Sequence, residues 1–284
     1  MPSSTNESPT SRVSERADGG LGAASSTDDA GRLAHPAAAL AIKLALAPLL
    51  VAQAIATRRR APVLPEAAGA REGLVGSGAA PLRLLIVGDS SAAGVGVADQ
   101  AQSVAGHLVG ALHRRTGRPI AWTLRARTGL TTRGVHAMLA AAPPPQADVA
   151  VVITGVNDVI EQIPAARAVR HRAALADWLI GTGCAHHVVF APLPPLHRFP
   201  LLPEPLRRVM GGDARRHDAA LARWAQARGD VSHASFAPEL DAAGMASDGF
   251  HPGEPVYRAC GEALAAHLVA LALPGSEAIS AATS

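Results

Sequence analysis

The sequence predicts an α/β fold, a parallel five-stranded sheet with helices on both faces. Three observations carry this. Leu84-Leu85-Ile86-Val87 and Val149-Ala150-Val151-Val152-Ile153 are unbroken apolar runs with no polar alternation, as in strands buried on both faces. Between such runs lie segments with apolar residues at helical spacing, so strands alternate with helices over residues 82–273. With 48% apolar residues and 3% aromatic, a core is available and is built of Ala, Val and Leu rather than rings.

In chain order, Leu84 to Val87 is the first strand, ended by Gly88. Val104, Leu108 and Leu112 mark a helix over 103–115. A second strand covers 119–124, and a short helix over 131–141 is stopped by Pro143-Pro144-Pro145. After the third strand at Val149 to Ile153, a helix over 165–180 is closed by Gly181 and Gly183. A fourth strand at 187–191, a helix at 206–228, a weak fifth strand at 229–232 and a last helix at 255–273 complete the pattern. Right-handed crossovers bring the C-terminal ends of all these strands to one edge, so the residues just after each strand should converge.

Around this domain, residues 1–32 are rich in Ser, Thr, Ala, Gly, Asp and Glu without apolar period, which predicts a disordered tail. Residues 33–60 predict an apolar helix followed at once by Arg58-Arg59-Arg60. A cleaved signal peptide is disfavoured, since the apolar run starts late and its charges lie on the wrong side. Residues 36–57 approach bilayer-spanning length, but Lys43 and Pro48 interrupt them. Two readings stay open: association with an inner membrane, with Arg58–Arg60 marking the cytoplasmic end, or docking on the domain or on a second subunit. The expected location is otherwise cytoplasmic. Residues 61–81 read as a linker and 274–284 as a C-terminal tail.

The net charge of +3 is small, and all but Lys43 of the 26 basic side chains are Arg, the mark of a high-GC coding bias. No basic stripe interleaved with aromatics occurs, which argues against a nucleic-acid partner. Cys184 and Cys260 follow no metal-ligand spacing and read as reduced thiols. Cys184 beside His186 and His187 leaves a weak hint of a thiol–imidazole pair.

The strand ends carry chemistry. After the first strand stands Gly88-Asp89-Ser90; after the second, Arg127-Thr128-Gly129-Leu130-Thr131; after the third, Gly155-Val156-Asn157-Asp158; after the fifth, Asp248-Gly249-Phe250-His251-Pro252. These are the parts of a serine hydrolase. Ser90 needs a base, which His251 supplies, and His251 needs a carboxylate to fix its tautomer, which Asp248, three residues earlier, supplies. The backbone N–H groups of Ser90 and Gly129 and the Asn157 amide are the candidate oxyanion donors. Gly-x-Ser-x-Gly is absent, which disfavours a standard α/β-hydrolase. Asp89 and Asp158 are expected to hold loops, and His107, His113, His136, His171, His197, His217 and His233 to lie on the surface.

These blocks resemble the SGNH/GDSL hydrolase family over roughly Leu82 to Leu273, with Ser91 standing where the family name has Leu. The resemblance implies a flavodoxin-like α/β/α sandwich, ester hydrolysis and no metal or cofactor. It also implies Ser90 as nucleophile, His251 as base, Asp248 as its partner, and Ser90, Gly129 and Asn157 as oxyanion hole. The expected substrate is a small-molecule or lipid ester. Transfer to a sugar or alcohol acceptor would use the same acyl-enzyme. A nucleotide-binding module is a distant alternative, because Gly94-Val95-Gly96 places Asp99 where a third glycine would stand. The Pro-rich stretch from Pro192 to Met210 is expected either to wall an acyl site or simply to cover the core.

Overall fold

The computed structural model describes residues 36–236 and 242–271. The expected tails at 1–32 and 274–284, and the first residues of the apolar helix at 33–35, lie outside the described residues. Two units divide between Ala45 and Leu46. Of the described residues, the first holds the opening turns of helix α1, Pro36–Arg60, up to Ala45. The second carries the rest of that helix and the whole sheet.

The sheet has six strands: β1 Glu72–Val75, β2 Leu82–Gly88, β3 Ile120–Ala126, β4 Ala147–Ile153, β5 Ala185–Phe190 and β6 Val231–His233. Their order is β1-β3-β2-β4-β5-β6, all parallel except β1, which runs antiparallel to β3 at the edge. Without β1 this is the flavodoxin-type order, whose switch point lies between β2 and β4. The five-strand expectation is thus corrected by one edge strand drawn from the segment read as a linker. Glu72, Gly73 and Leu74 are exposed, so β1 carries no buried run to reveal it. Residues before β1 also lie on the domain. Ala67 is buried, and the Gln100 side-chain amide donates to the Ala67 and Ala93 carbonyls at 3.2 and 3.0 Å.

Helices cover both faces: α2 Val104–Thr116, α3 Thr132–Ala141, α4 Val156–Ile160, α5 Ala165–Gly181, α6 Leu206–Gln226 and α7 Glu254–Ala270. Along β2 and β4 successive side chains enter opposite cores. Leu85, Val87, Ala150 and Val152 meet α3, α5 and α6, while Leu84, Ile86, Val149 and Val151 meet α2 and α7. Both sets are apolar because neither face meets water, which is why these strands read as unbroken runs. Each fully buried Leu, Ile or Val contributes about 1.5–3 kcal/mol. Helices α2 and α7 cross closely at Gly261, where a Cβ would lie 2.7 Å from the Leu108 nitrogen. That crossing seats α7, and with it the loop that enters α7 from residue 248.

Candidate active site

The site forms where β2 ends at the switch point. Gly88 lies so close to β4 that a Cβ there would overlap the Ile153 carbonyl oxygen. The Asp89 N–H donates to that same carbonyl at 3.1 Å, and the Asp89 carboxylate accepts from the Ser91 N–H at 3.0 Å. This turn lifts Ser90 off the strand end with 8% of its surface exposed. The Ser90 Oγ lies 3.0 Å from His251 Nε2, and His251 Nδ1 lies 2.6 Å from Asp248 Oδ2.

Asp248 is fixed by its own loop. Its Oδ1 accepts from the Phe250 and His251 N–H groups, both at 2.9 Å. Burial works against its charge, but the His251 ring and the two backbone donors prevail and hold the carboxyl below its usual range. The loop is fastened at both ends. The Ala246 N–H donates to the His251 carbonyl at 2.8 Å, and the Leu201 N–H donates to the Gly249 carbonyl at 3.0 Å. Phe250 stacks edge-on to both Phe199 and His251, each at 5.2 Å between ring centres.

Gly94 and Gly96 are close-packing positions at positive φ, and a Cβ on Gly94 would lie 2.8 Å from the Ala67 Cβ. Gly96 has φ 106° and packs on the His251 loop so tightly that a Cβ would overlap the Pro252 carbonyl oxygen. The Tyr257 hydroxyl donates to the Val95 carbonyl at 2.6 Å and ties the same loop to α7. Sequence reasoning missed this role, because a glycine pair after a strand signals only close backbone approach, not the partner.

The second and third blocks are stapled together. Asn157, in the first turn of α4, donates its amide to the Leu130 carbonyl at 3.0 Å. Asp158 accepts from the Thr132 N–H at 3.0 Å and the Thr132 hydroxyl at 2.6 Å. Gly129 itself sits in an exposed turn at φ 82°, and its neighbour Thr128 donates twice to Glu66 Oε1 at 2.7 and 2.8 Å. Asn157 thus spends one amide hydrogen on the Gly129 loop.

Beneath these loops lies Arg172, with no exposed surface. Its guanidinium is 3.6 Å from Asp158 Oδ2, and its Nε, Nη1 and Nη2 have no hydrogen-bond partner. Gly155, at φ 124°, has no room for a Cβ against Arg172 Nη2. Burial lowers the Arg172 pKa, opposed by Asp158, Asp218 and Asp89. Burial also pushes the Asp89 carboxyl up to about 7, opposed by the Ser91 N–H and by His251. Arg172 was not among the expected site residues. Its signal was present, since it takes a core-facing position of α5 beside Ala168, Leu175, Ala176 and Leu179.

Next to Ser90 opens an apolar pocket. Pro192, Pro194 and Phe199 line one side, and Val256, Cys260 and Leu264 of α7 line another. The Pro-rich stretch therefore both lines this pocket and covers the core, because Leu193, Leu196 and Leu202 from the same segment are buried. Burial drives the Cys260 thiol up to about 12, so it remains a neutral wall residue.

Other expectations are corrected. His217 is buried at 3% exposure, and the His233 side chain, 7% exposed, bonds Asp218 at 2.9 Å, so neither is a surface residue. Cys184 meets the Thr182 hydroxyl at 3.3 Å, and His187 meets the Ser232 hydroxyl at 3.1 Å, so Cys184 and His187 take separate partners.

Comparison with known proteins follows this geometry. A sequence model described as the GDSL-like lipase/acylhydrolase family matches residues 86–259, which spans all four strand-end blocks. The chain is 31% identical over 175 residues to GDSL-like esterase Rv1075c of Mycobacterium tuberculosis, covering 56% of this chain and 54% of that protein. The chain thus spans about half the length of the curated relative it matches. A lipase from a goat rumen metagenome superposes with a TM-score of 0.53 at 16% identity, over 65% of this chain and 96% of that one, which shows a shared fold. With the family match covering more than half of the sequence, the chain belongs to the GDSL-like lipase/acylhydrolase family.

Proposed function

We propose that this chain is a serine esterase that hydrolyses carboxylic esters with an apolar acyl group through an acyl-enzyme on Ser90. The observation that carries the reading is the relay from Ser90 through His251 to Asp248, at 3.0 and 2.6 Å. His251 Nε2 takes the hydroxyl proton as Oγ bonds to the ester carbonyl carbon. The negative oxygen of the tetrahedral intermediate is met by the Ser90 and Gly129 N–H groups and the second Asn157 amide hydrogen. His251 then returns the proton to the departing alkoxide. Water repeats the sequence, giving its proton to His251 and releasing the acid from Ser90. Asp248 keeps the ring proton on Nδ1 throughout and stabilises the imidazolium.

The acyl preference follows from the pocket walls. Phe199, Val256 and Leu264 offer no hydrogen bond to a sugar hydroxyl or a charged acyl group. Hydrolysis rates across p-nitrophenyl acetate, butyrate and octanoate test this reading. A rise in kcat/KM from acetate to the longer esters supports it. A preference for acetylated sugars over all three contradicts it.

A further inference from the structure

We propose that α1 rests on an anionic lipid surface through the face it turns away from the sheet. From Leu46 to Ala56 this helix has no charged residue and is apolar nearly all round. A helix of that kind belongs in a buried setting. Only half of it is covered. Leu46, Leu50, Gln53 and Thr57 form the inner stripe at helical spacing and are half-buried. Leu50 packs against the core that α6 completes, the Gln53 amide donates to the Glu204 carbonyl at 2.7 Å, and its Oε1 accepts from the Leu206 N–H at 3.2 Å.

The opposite stripe, Pro48, Val51, Ala52 and Ile55, faces outward, with Val51 57% and Ile55 48% exposed. Leu49, beside it, is 47% exposed. An outer face meant for water would carry Lys, Glu or Gln here. Directly after this stripe come Arg58, Arg59 and Arg60, all exposed, and the helix holds no Asp or Glu. An apolar strip ending in three cations is complementary to acyl chains beneath anionic headgroups. The docked inner stripe replaces the polar face of an ordinary interfacial helix. Among the described residues no helix is long and apolar enough to cross a membrane, which fits lying on the surface.

The contact has a consequence for the site. Glu204 and Leu206, which Gln53 grips, end the segment whose Pro192, Pro194 and Phe199 line the pocket beside Ser90. Lipid binding therefore holds that segment near the bilayer. The binding itself does not depend on the esterase reading.

The test uses the full chain and sedimentation with vesicles of phosphatidylcholine alone or of equimolar phosphatidylcholine and phosphatidylglycerol. Binding to the mixed vesicles is expected, with loss in the Val51→Glu/Ile55→Glu variant. Arg58→Gln/Arg59→Gln/Arg60→Gln should weaken it about a hundredfold, since each surface cation contributes roughly a factor of five. Melting temperature and p-nitrophenyl acetate turnover should not change in either variant. Failure of the wild type to bind the mixed vesicles overturns the proposal, and so does binding that survives Val51→Glu/Ile55→Glu. A vesicle-free dimer that this variant splits would assign the face to a second copy and overturn it equally.

Discussion

Replacing Asp248 by Asn separates the catalytic use of this side chain from its structural one. Oδ1 accepts the Phe250 and His251 N–H groups at 2.9 Å each, and an Asn carbonyl oxygen keeps both bonds. The new amide then falls where Oδ2 stands, 2.6 Å from His251 Nδ1. An amide donates, so Nδ1 must accept, and the ring proton moves to Nε2. Nε2 faces the Ser90 Oγ at 3.0 Å and in that tautomer has no lone pair for the hydroxyl proton. The expected loss in kcat is about ten-thousandfold, the size found when a triad carboxylate is replaced by its amide, or roughly 5 kcal/mol in the barrier. KM and the urea midpoint should hardly move. Asp248→Ala, which also orphans two backbone donors, should lose about 1–3 kcal/mol of stability as well. Steady-state hydrolysis of p-nitrophenyl butyrate beside urea unfolding reads both quantities. A folded Asp248→Asn protein with kcat within tenfold of wild type would refute the relay.

Three further perturbations follow. Gly96→Ala places a methyl group into the Pro252 carbonyl at a positive φ, so the His251 loop must retreat from Ser90; kcat should fall about a hundredfold, as for a 1 Å misplacement of a catalytic group, with acetate-ester kinetics as the assay. Arg172→Met leaves the Asp158 carboxyl buried without its cation and should cost about 3 kcal/mol in urea unfolding, and adding Asp158→Asn should recover much of that loss, whereas additive losses would deny the coupling. Asp89→Asn keeps the acceptor for the Ser91 N–H and removes a carboxyl whose folded pKa is raised to about 7 from 3.8. For an acid shifted upward, the folded state holds the proton that the unfolded state has released, so wild-type stability declines as pH rises between those values and the deficit is constant above them. The variant should gain on wild type by up to about 4 kcal/mol across that window, and a pH-independent difference would count against it.

The parallel strands were legible because β2 and β4 are buried on both faces and so read as unbroken apolar runs between helical segments. β1 was not, since Glu72, Gly73 and Leu74 gain their place from pairing with Thr123, Trp122 and Ala121 rather than from burial. The residues at the strand ends were legible because parallel topology sends them to one edge, so Ser90 and His251, 3.0 Å apart, could be grouped without knowing a single distance. What stayed hidden depends on packing between distant segments. Gly96 against Pro252, Asn157 against the Leu130 carbonyl and Gln53 against Glu204 each join residues whose own sequence context names no partner. His217 and His233 were misplaced for the same reason, as a histidine's burial is set by what crosses it and not by its neighbours in sequence. Arg172 is the instructive case, since a charge on the apolar stripe of α5 is visible in the sequence and announces a buried partner.

The central claim, that Ser90 forms the acyl-enzyme, is tested most directly by rapid mixing of wild type and Ser90→Ala with p-nitrophenyl butyrate, followed by intact-mass measurement of the quenched protein. Acylation of Ser90 predicts a burst of p-nitrophenol close to one equivalent whenever deacylation is the slower step, a butyryl adduct on the wild type that maps to Ser90, and neither in Ser90→Ala. An adduct on another residue, or equal turnover in the two proteins, would contradict it.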